Sequence, residues 1–198
     1  YAFGWSAGKE IFKGKLDLAK GSYYNNPQYD VVTTDKTLIK KYPGSMSDNI
    51  WPDNAIFADK STDFEASFKA MGQLTVSVGE MIAKQCDLYV STRIENYGKS
   101  KLYDIIKQSK TCKSRMLHYF PRNGLYQTKN KENSKVTSEQ QQDHKKSFVS
   151  VDETELDSWC GWHLDHGSLS GLCTAMYFDE EGKVVTNDDP LAGLYIKT

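Results

Sequence analysis

Trp159-Cys-Gly-Trp-His-Leu-Asp-His-Gly-Ser-Leu-Ser-Gly-Leu172 is the stretch on which the reading of this chain turns. It sets a histidine and an aspartate two residues apart, His163 and Asp165, just before an apolar run, Gly171-Leu-Cys-Thr-Ala-Met-Tyr-Phe178. In an extended strand residues i and i+2 face the same way, roughly 6–7 Å apart at Cα. His163 and Asp165 can then reach one metal ion while Leu164 packs on the opposite face. One imidazole, one carboxylate and a second His from elsewhere make the facial triad of non-haem Fe(II) oxygenases, which leaves positions open for a cosubstrate and O₂. Three residues are a short motif that also arises by chance on polar loops. The surroundings add weight, because bulky Trp159 and Trp162 beside Gly161, Gly167 and Gly171 predict a shaped pocket with close backbone approach.

Working outward, Gly171–Phe178 predicts a buried strand. Asp179-Glu-Glu-Gly182 predicts a hairpin turn with Lys183-Val-Val185 returning. Asp188-Asp-Pro190 predicts another turn, and Gly193–Lys197 a further strand, in which Tyr195 and Lys197 read as ordinary half-buried positions. Upstream, Arg115-Met-Leu-His-Tyr-Phe-Pro121 predicts a strand stopped by its proline. Between them, residues 124–150 are polar and low in complexity and predict a mobile loop.

Helical signals come earlier. Phe64, Phe68, Met71, Thr75, Val78, Ile82 and Cys86 recur at spacings of three and four, so residues 61–90 predict one long amphipathic helix. Ser61 or Thr62 is the expected N-cap, Thr62 with Glu65 fitting a capping box. Gly72 and Gly79 each disfavour a helix by about 1 kcal/mol relative to Ala, which predicts close packing there. A second helix is expected over Lys101–Lys110 with Leu102, Ile105 and Ile106 inward. Residues 1–60 show little regular pattern: Lys9–Lys13 reads as a short helical or coil element, and Gly21–Pro27 and Trp51–Asn54 are turn-rich. Their aromatics (Trp5, Phe12, Tyr23, Tyr24, Trp51, Phe57) predict a loop layer packed on a core. The expected architecture is α+β: a loop-rich and helical portion over 1–113, then a β core over 114–198 with helices to one side.

Bulk properties narrow the classes. The 198 residues suit one domain or a large piece of one, and 38% hydrophobic with 26% charged residues is a globular balance. A net charge of -1 gives no footprint for nucleic acid. No apolar run approaches the roughly 20 residues needed to span a bilayer, and no signal peptide is legible. Cys86, Cys112, Cys160 and Cys173 form no C-x-x-C pair, so free thiols and a cytosolic location are expected. Tyr1 and the strand-like Gly193–Thr198 lead to the expectation of a piece of a longer protein.

Leu117-His-Tyr-Phe-Pro121, Trp159–Leu172 and Asp189-Pro-Leu-Ala-Gly-Leu-Tyr-Ile196 together resemble the isopenicillin N synthase-like 2-oxoglutarate/Fe(II)-dependent oxygenases, closest to an uncharacterised eukaryotic branch. The resemblance covers most of the chain, is specific over 115–121 and 159–196, and is loose before residue 60. It implies a helical N-terminal portion followed by a double-stranded β-helix, or jelly roll, here incomplete. It implies Fe(II) as cofactor, 2-oxoglutarate as a cosubstrate decarboxylated to succinate, O₂, and a small-molecule substrate that is hydroxylated, desaturated or cyclised. His163 and Asp165 match the first two iron ligands. The third ligand in that family is a distal His, followed by an Arg for the far carboxylate of 2-oxoglutarate; neither occurs between Asp165 and Thr198, and His166 would face away from His163 in a strand.

The family's strand before the proline often carries an Asn and a Tyr that contact the cosubstrate; those positions here are His118 and Phe120. Tyr119, between them, and Arg115, whose guanidinium fork suits a carboxylate, are the candidate cosubstrate contacts. For Arg115 an ordinary ion pair is the competing reading. Two rival functions remain: an oxygenase-fold binding or scaffold module, and a thiol enzyme in which His163 or His166 serves Cys160. The acidic run Asp152–Asp157 reads as a solvated loop, and His144 lies in the polar insert.

Overall fold

The structure is a computed structural model and describes residues 2–12, 15–57, 59, 63–120, 160, 163–190 and 192–196. The expected N-caps Ser61 and Thr62, the insert over 124–150 with His144, the run Asp152–Asp157, Pro121, Trp159, Gly161, Trp162 and Lys197 lie outside those residues.

The fold is α+β, with helices and small antiparallel sheets. Its main sheet has three strands, β1 (Gly4–Ala7), β4 (Lys20–Asn25) and β5 (Ser114–Tyr119), in the order β1-β4-β5. Two short strands, β2 (Ile11–Phe12) and β3 (Lys15–Leu16), form a separate hairpin on the connection from β1 to β4. Two strands of the main sheet therefore come from the first 25 residues, and Ile11–Phe12, where a short helical or coil element was expected, is a strand. This corrects the expectation of helices first and strands afterwards. The cause is visible in the register: Trp5↔Tyr23 and Tyr23↔Met116 pair across three strands, so the glycine, serine and asparagine positions beside them are held in the sheet by their partners.

α1 (Lys36–Lys41) and α2 (Pro43–Met46) follow, then a single 3-10 turn at Asn54–Ile56. α3 (Phe64–Ser91) is the long helix the 3–4 spacing predicted. Its observed cap is Asp63, whose side chain accepts from the Ala66 N–H at 2.9 Å. Phe64 and Phe68 meet Tyr23 edge-on at centroid distances of 4.9 and 5.6 Å, and Trp51 and Phe57 close over them. Of the expected aromatic layer, Tyr23, Trp51 and Phe57 join this cluster, which packs α3 on β4, whereas Trp5 is half exposed and Tyr24 donates to Glu10 on the other face of β4. The rest of the stripe behaves differently: Val78, Ile82 and Cys86 line an open apolar groove with Met81 and Tyr89, while the buried positions of α3 are Gly72, Ala83 and Asp87.

Asp87 joins α3 to α4 (Lys101–Gln108). Its carboxylate accepts the backbone N–H groups of Leu102 and Tyr103 at 2.9 and 2.8 Å and the Tyr97 hydroxyl at 2.7 Å. It thus caps the first turn of α4 from another helix, where the helix dipole favours an anion. Burial works to raise its pKa, but those three donated hydrogen bonds prevail and hold the carboxyl below the usual aspartate range. Ile105, expected inward, is half exposed.

At the end of β4 the chain turns through Asn25, Asn26 and Pro27, all buried. Asn25 donates to the Ile50 carbonyl at 3.0 Å and accepts from the N–H groups of Ile50 and Gly4. Asn26 donates to the Lys110 carbonyl at 2.7 Å, and Asn49 clasps its backbone on both sides. Pro27 presses on Gly72 of α3: a Cβ at Gly72 would fall 2.3 Å from Pro27 Cβ and 2.8 Å from Ser114 Oγ. The close packing expected at Gly72 is real, whereas Gly79 has ordinary room beside Leu169.

Beyond residue 160 the expected strands are shorter. Tyr177–Phe178 (β6) and Val184–Val185 (β7) form the predicted hairpin, with Asp179 accepting the turn N–H groups of Glu181 and Lys183. Residues 171–176 and 193–196 are not strands, and Leu172, Met176 and Ile196 are exposed. The expectation of a buried strand over 171–176 and of a further strand over 193–196 is corrected: these residues have no neighbouring strand among the described residues to complete a ladder. Residues 169–173 instead run extended along α3. Leu169 lies by Gly79, Gly171 by Thr75, and Cys173 Sγ is 3.8 Å from Met71 Sδ. Two extended residues span about 6.6 Å and four helical residues about 6 Å, so this antiparallel contact stays in step. Gly171 has no room for a side chain there, since a Cβ would meet Thr75 Cγ2 at 2.4 Å.

Two tests follow from this packing. Gly72→Ala gains about 1 kcal/mol of helix propensity but drives a methyl into Pro27, at a cost of roughly 1–3 kcal/mol. Urea denaturation should show a net loss; a more stable variant would mean that Pro27 does not press on the helix. Tyr23, which is 6% exposed and donates to the Ile50 carbonyl, has its phenol pushed up to about 12 by burial, with the Glu65 charge adding to the rise. A pKa raised on folding gives stability that is complete below the unfolded value near 10 and lost as pH rises through 12. Stability should fall with a slope on the order of 1 kcal/mol per pH unit over that window, and Tyr23→Phe should flatten it.

Candidate functional site

β5 carries two of the candidate residues. Residues alternate along a strand, so Arg115, Leu117 and Tyr119 share one face, and the register sets Tyr24 opposite Arg115, Ser22 opposite Leu117 and Lys20 opposite Tyr119. The other face carries Tyr23 and its aromatic contacts with α3. Arg115 and Tyr119 therefore lie on the polar side of the sheet, away from the helix. His118, on the helix-facing side of the pleat, meets Phe120 edge-on at 4.9 Å.

His163 and Asp165 do meet, with His163 Nε2 3.3 Å from Asp165 Oδ1. The local backbone is not a strand, so the shared side comes from the loop and not from a pleat. Leu164 is 91% exposed and does not pack on an opposite face, which corrects that expectation. Ser170 fixes the carboxylate from its other oxygen, donating to Asp165 Oδ2 at 2.6 Å. That hydrogen bond is the main reason the Asp165 carboxyl sits below its ordinary value; slight burial opposes it, and the His163 and His166 charges assist. His163 Nδ1 lies 3.8 Å from Cys160 Sγ.

Cys160 also reaches Tyr119. Burial is the first cause raising the Tyr119 phenol, and the Cys160 thiol beside it is the second, partly through a side-chain hydrogen bond. One continuous series of contacts thus runs Tyr119, Cys160, His163, Asp165, Ser170. Three of the four candidate residues are brought together, with Cys160 as the link. Cys86, Cys112 and Cys173 are free thiols.

Arg115 has a partner of its own. Its Nη2 donates to Glu10 Oε1 and Oε2 at 2.9 and 3.2 Å, and both Nε and Nη2 donate to Ser22 Oγ at 3.1 and 2.7 Å. Glu10 also accepts from Tyr24 at 2.7 Å and pairs with Lys20 at 3.2 Å, while Lys20 pairs with Asp17 at 3.1 Å. Burial works to raise the Glu10 pKa, but the hydrogen bonds from Tyr24 and Lys20 and the Arg115 charge hold it below its usual value. Glu10 and Ser170 were missed from sequence. Ser170 follows Asp165 by five residues and was open to notice; Glu10 is 105 residues from Arg115, and no local pattern links them.

The arrangement can be tested against a metal. Two cis donors of an octahedral ion, each about 2.1 Å from it, stand about 3 Å apart. The 3.3 Å between His163 Nε2 and Asp165 Oδ1 fits that spacing, and the donor types fit iron(II). Among the described residues no group of three or more His, Cys, Asp and Glu side chains forms a complete metal cluster. The fit is therefore to two cis positions. No family model matches the chain, and neither a curated protein nor a solved structure matches it.

Proposed function

We propose that this chain carries part of a mononuclear non-haem iron site and belongs to an oxygenase with a jelly-roll core. What supports the reading most is the single approach of His163 Nε2 to Asp165 Oδ1 at 3.3 Å, the spacing of two cis ligands. The Ser170 hydrogen bond favours the ionised carboxylate, which is the form that binds a metal. A third ligand from another part of the protein completes the triad in this reading. Iron(II) with 2-oxoglutarate supplies the activation of O₂, and the organic substrate is a small molecule. In this reading His163 and Asp165 hold the metal, Ser170 orients Asp165, and Tyr119 is the candidate cosubstrate contact.

One observation favours a second reading. Cys160, His163 and Asp165 lie in the order nucleophile, base, orienting carboxylate, at 3.8 and 3.3 Å. That is the relay of a thiol enzyme, and it uses the same His and Asp. The 3.8 Å contact is long for proton transfer in a resting state, so we place this reading second.

Calorimetric titration with Mn(II) under anaerobic conditions separates the two. On the metal reading, His163→Ala and Asp165→Ala each weaken Mn(II) binding at least about tenfold, the size of effect seen when a ligand or its support is lost, and Cys160→Ala leaves it unchanged. Fe(II)-dependent O₂ uptake by the complete protein with 2-oxoglutarate is abolished in Asp165→Ala. Mn(II) binding that is indifferent to both ligand substitutions would remove the metal reading.

A further inference from the structure

The polar face of the sheet holds a carboxylate in a set of donors that the mechanism above does not use. Glu10 receives the Tyr24 hydroxyl at 2.7 Å, the Arg115 guanidinium at 2.9 and 3.2 Å, and the Lys20 ammonium at 3.2 Å. A carboxylate offers two oxygens with about four lone-pair sites, and these donors address both oxygens. The donors and the occupant come from different elements. Tyr24 and Lys20 lie on β4 and Arg115 on β5, locked by the strand register. Glu10 lies outside the sheet, where the β2–β3 hairpin begins.

Arg115 and Lys20 also have partners other than Glu10. Ser22 Oγ accepts from two nitrogens of Arg115, and the guanidinium lies 5.0 Å from the Tyr24 ring centroid. Lys20 keeps Asp17 at 3.1 Å. Without Glu10 the group Lys20, Arg115 and Asp17 has one net positive charge, which suits one carboxylate. The Glu10 and Arg115 side chains are 31% and 33% exposed, so the position is reachable from water.

We propose that Tyr24, Lys20 and Arg115 form a receptor for a small-molecule carboxylate, and that Glu10 is an internal occupant which such a ligand displaces. One guanidinium nitrogen that reaches both oxygens of a carboxylate, with a tyrosine hydroxyl on one of them, suits a planar carboxylate, and Lys20 adds charge. This site needs no metal, so it goes beyond the oxygenase reading. The same sheet face leads from Lys20 to its register partner Tyr119, and so to Cys160 and His163. A molecule anchored here by its carboxylate extends toward that pair, and this placement alone rests on the metal reading.

Propionate reproduces the Glu10 side chain from Cβ outward and is the probe. It is titrated into EDTA-treated protein by calorimetry and by thermal melting, with chloride at equal ionic strength as control. The wild type should bind propionate saturably. Glu10→Ala should bind it at least tenfold more tightly and recover the melting midpoint that the substitution lowers. Glu10→Ala with Arg115→Gln should lose that binding. Folded Glu10→Ala that binds no more tightly than wild type would overturn the proposal, as would non-saturable binding to wild type. If Glu10→Ala does not fold, Glu10→Gln is titrated in the same way, with tighter binding than wild type expected and no gain overturning it. Because metal is absent throughout, this result is independent of the Mn(II) titration.

Discussion

Asn25 and Asn26 are buried polar side chains at the point where β4 ends, and the arrangement of the rest follows from how they are satisfied. A buried carboxamide without partners costs on the order of 1–3 kcal/mol, so the chain around these two residues has little freedom. Asn25 fixes Gly4 and Ile50, Asn26 fixes Asn49 and the Lys110 carbonyl, and Pro27 sets the depth of α3 through Gly72. Among the described residues no buried side-chain polar atom lacks a partner. The end of α4 is thereby brought to the head of β5. The register Asn25↔Ser114 through Lys20↔Tyr119 then decides that Arg115 and Tyr119 face away from the helix.

Two kinds of electrostatic order follow. Around Arg115, two cations and two carboxylates neutralise one another within a donor set fixed by strand register. Around His163, an imidazole and a carboxylate meet on a loop, and Ser170 orders the carboxylate from behind. Cys160 and Tyr119 connect the two regions. The loop owes its place to residues 169–173, which lie along α3 in step with Met71, Thr75 and Gly79. The helix thus serves the site at one remove: it carries the sheet on Phe64 and Phe68 and the loop on Thr75.

The long helix was legible because Phe64, Phe68 and Thr75 recur at helical spacing whatever they touch. The β6–β7 hairpin was legible because Asp179–Gly182 is a turn by its own chemistry. β1 and β4 were not: Gly4-Trp-Ser-Ala7 and Lys20-Gly-Ser-Tyr-Tyr-Asn25 carry glycine, serine and asparagine, and their strand state comes from partners up to 99 residues away, as for Lys20↔Tyr119. The Asn25–Pro27 corner read as a turn because burial of asparagine cannot be inferred without the Ile50 and Lys110 carbonyls. Apolar runs misled in the other direction at Gly171–Met176, which lack a ladder partner among the described residues and are not strands. For the site, the spacing of His163 and Asp165 foresaw that they meet, though on a loop. The reading of Arg115 left a choice between ligand and ion pair, and Glu10 accounts for the ion pair.

Pulsed electron paramagnetic resonance of the Mn(II)-loaded protein, grown with ¹⁵N-labelled histidine, tests the central claim most directly. The account expects the electron spin to couple to imidazole nitrogen, with the His163 contribution lost in His163→Gln and kept in Cys160→Ala. An unchanged nitrogen coupling in His163→Gln would contradict it, because the ion would then be held somewhere other than between His163 and Asp165.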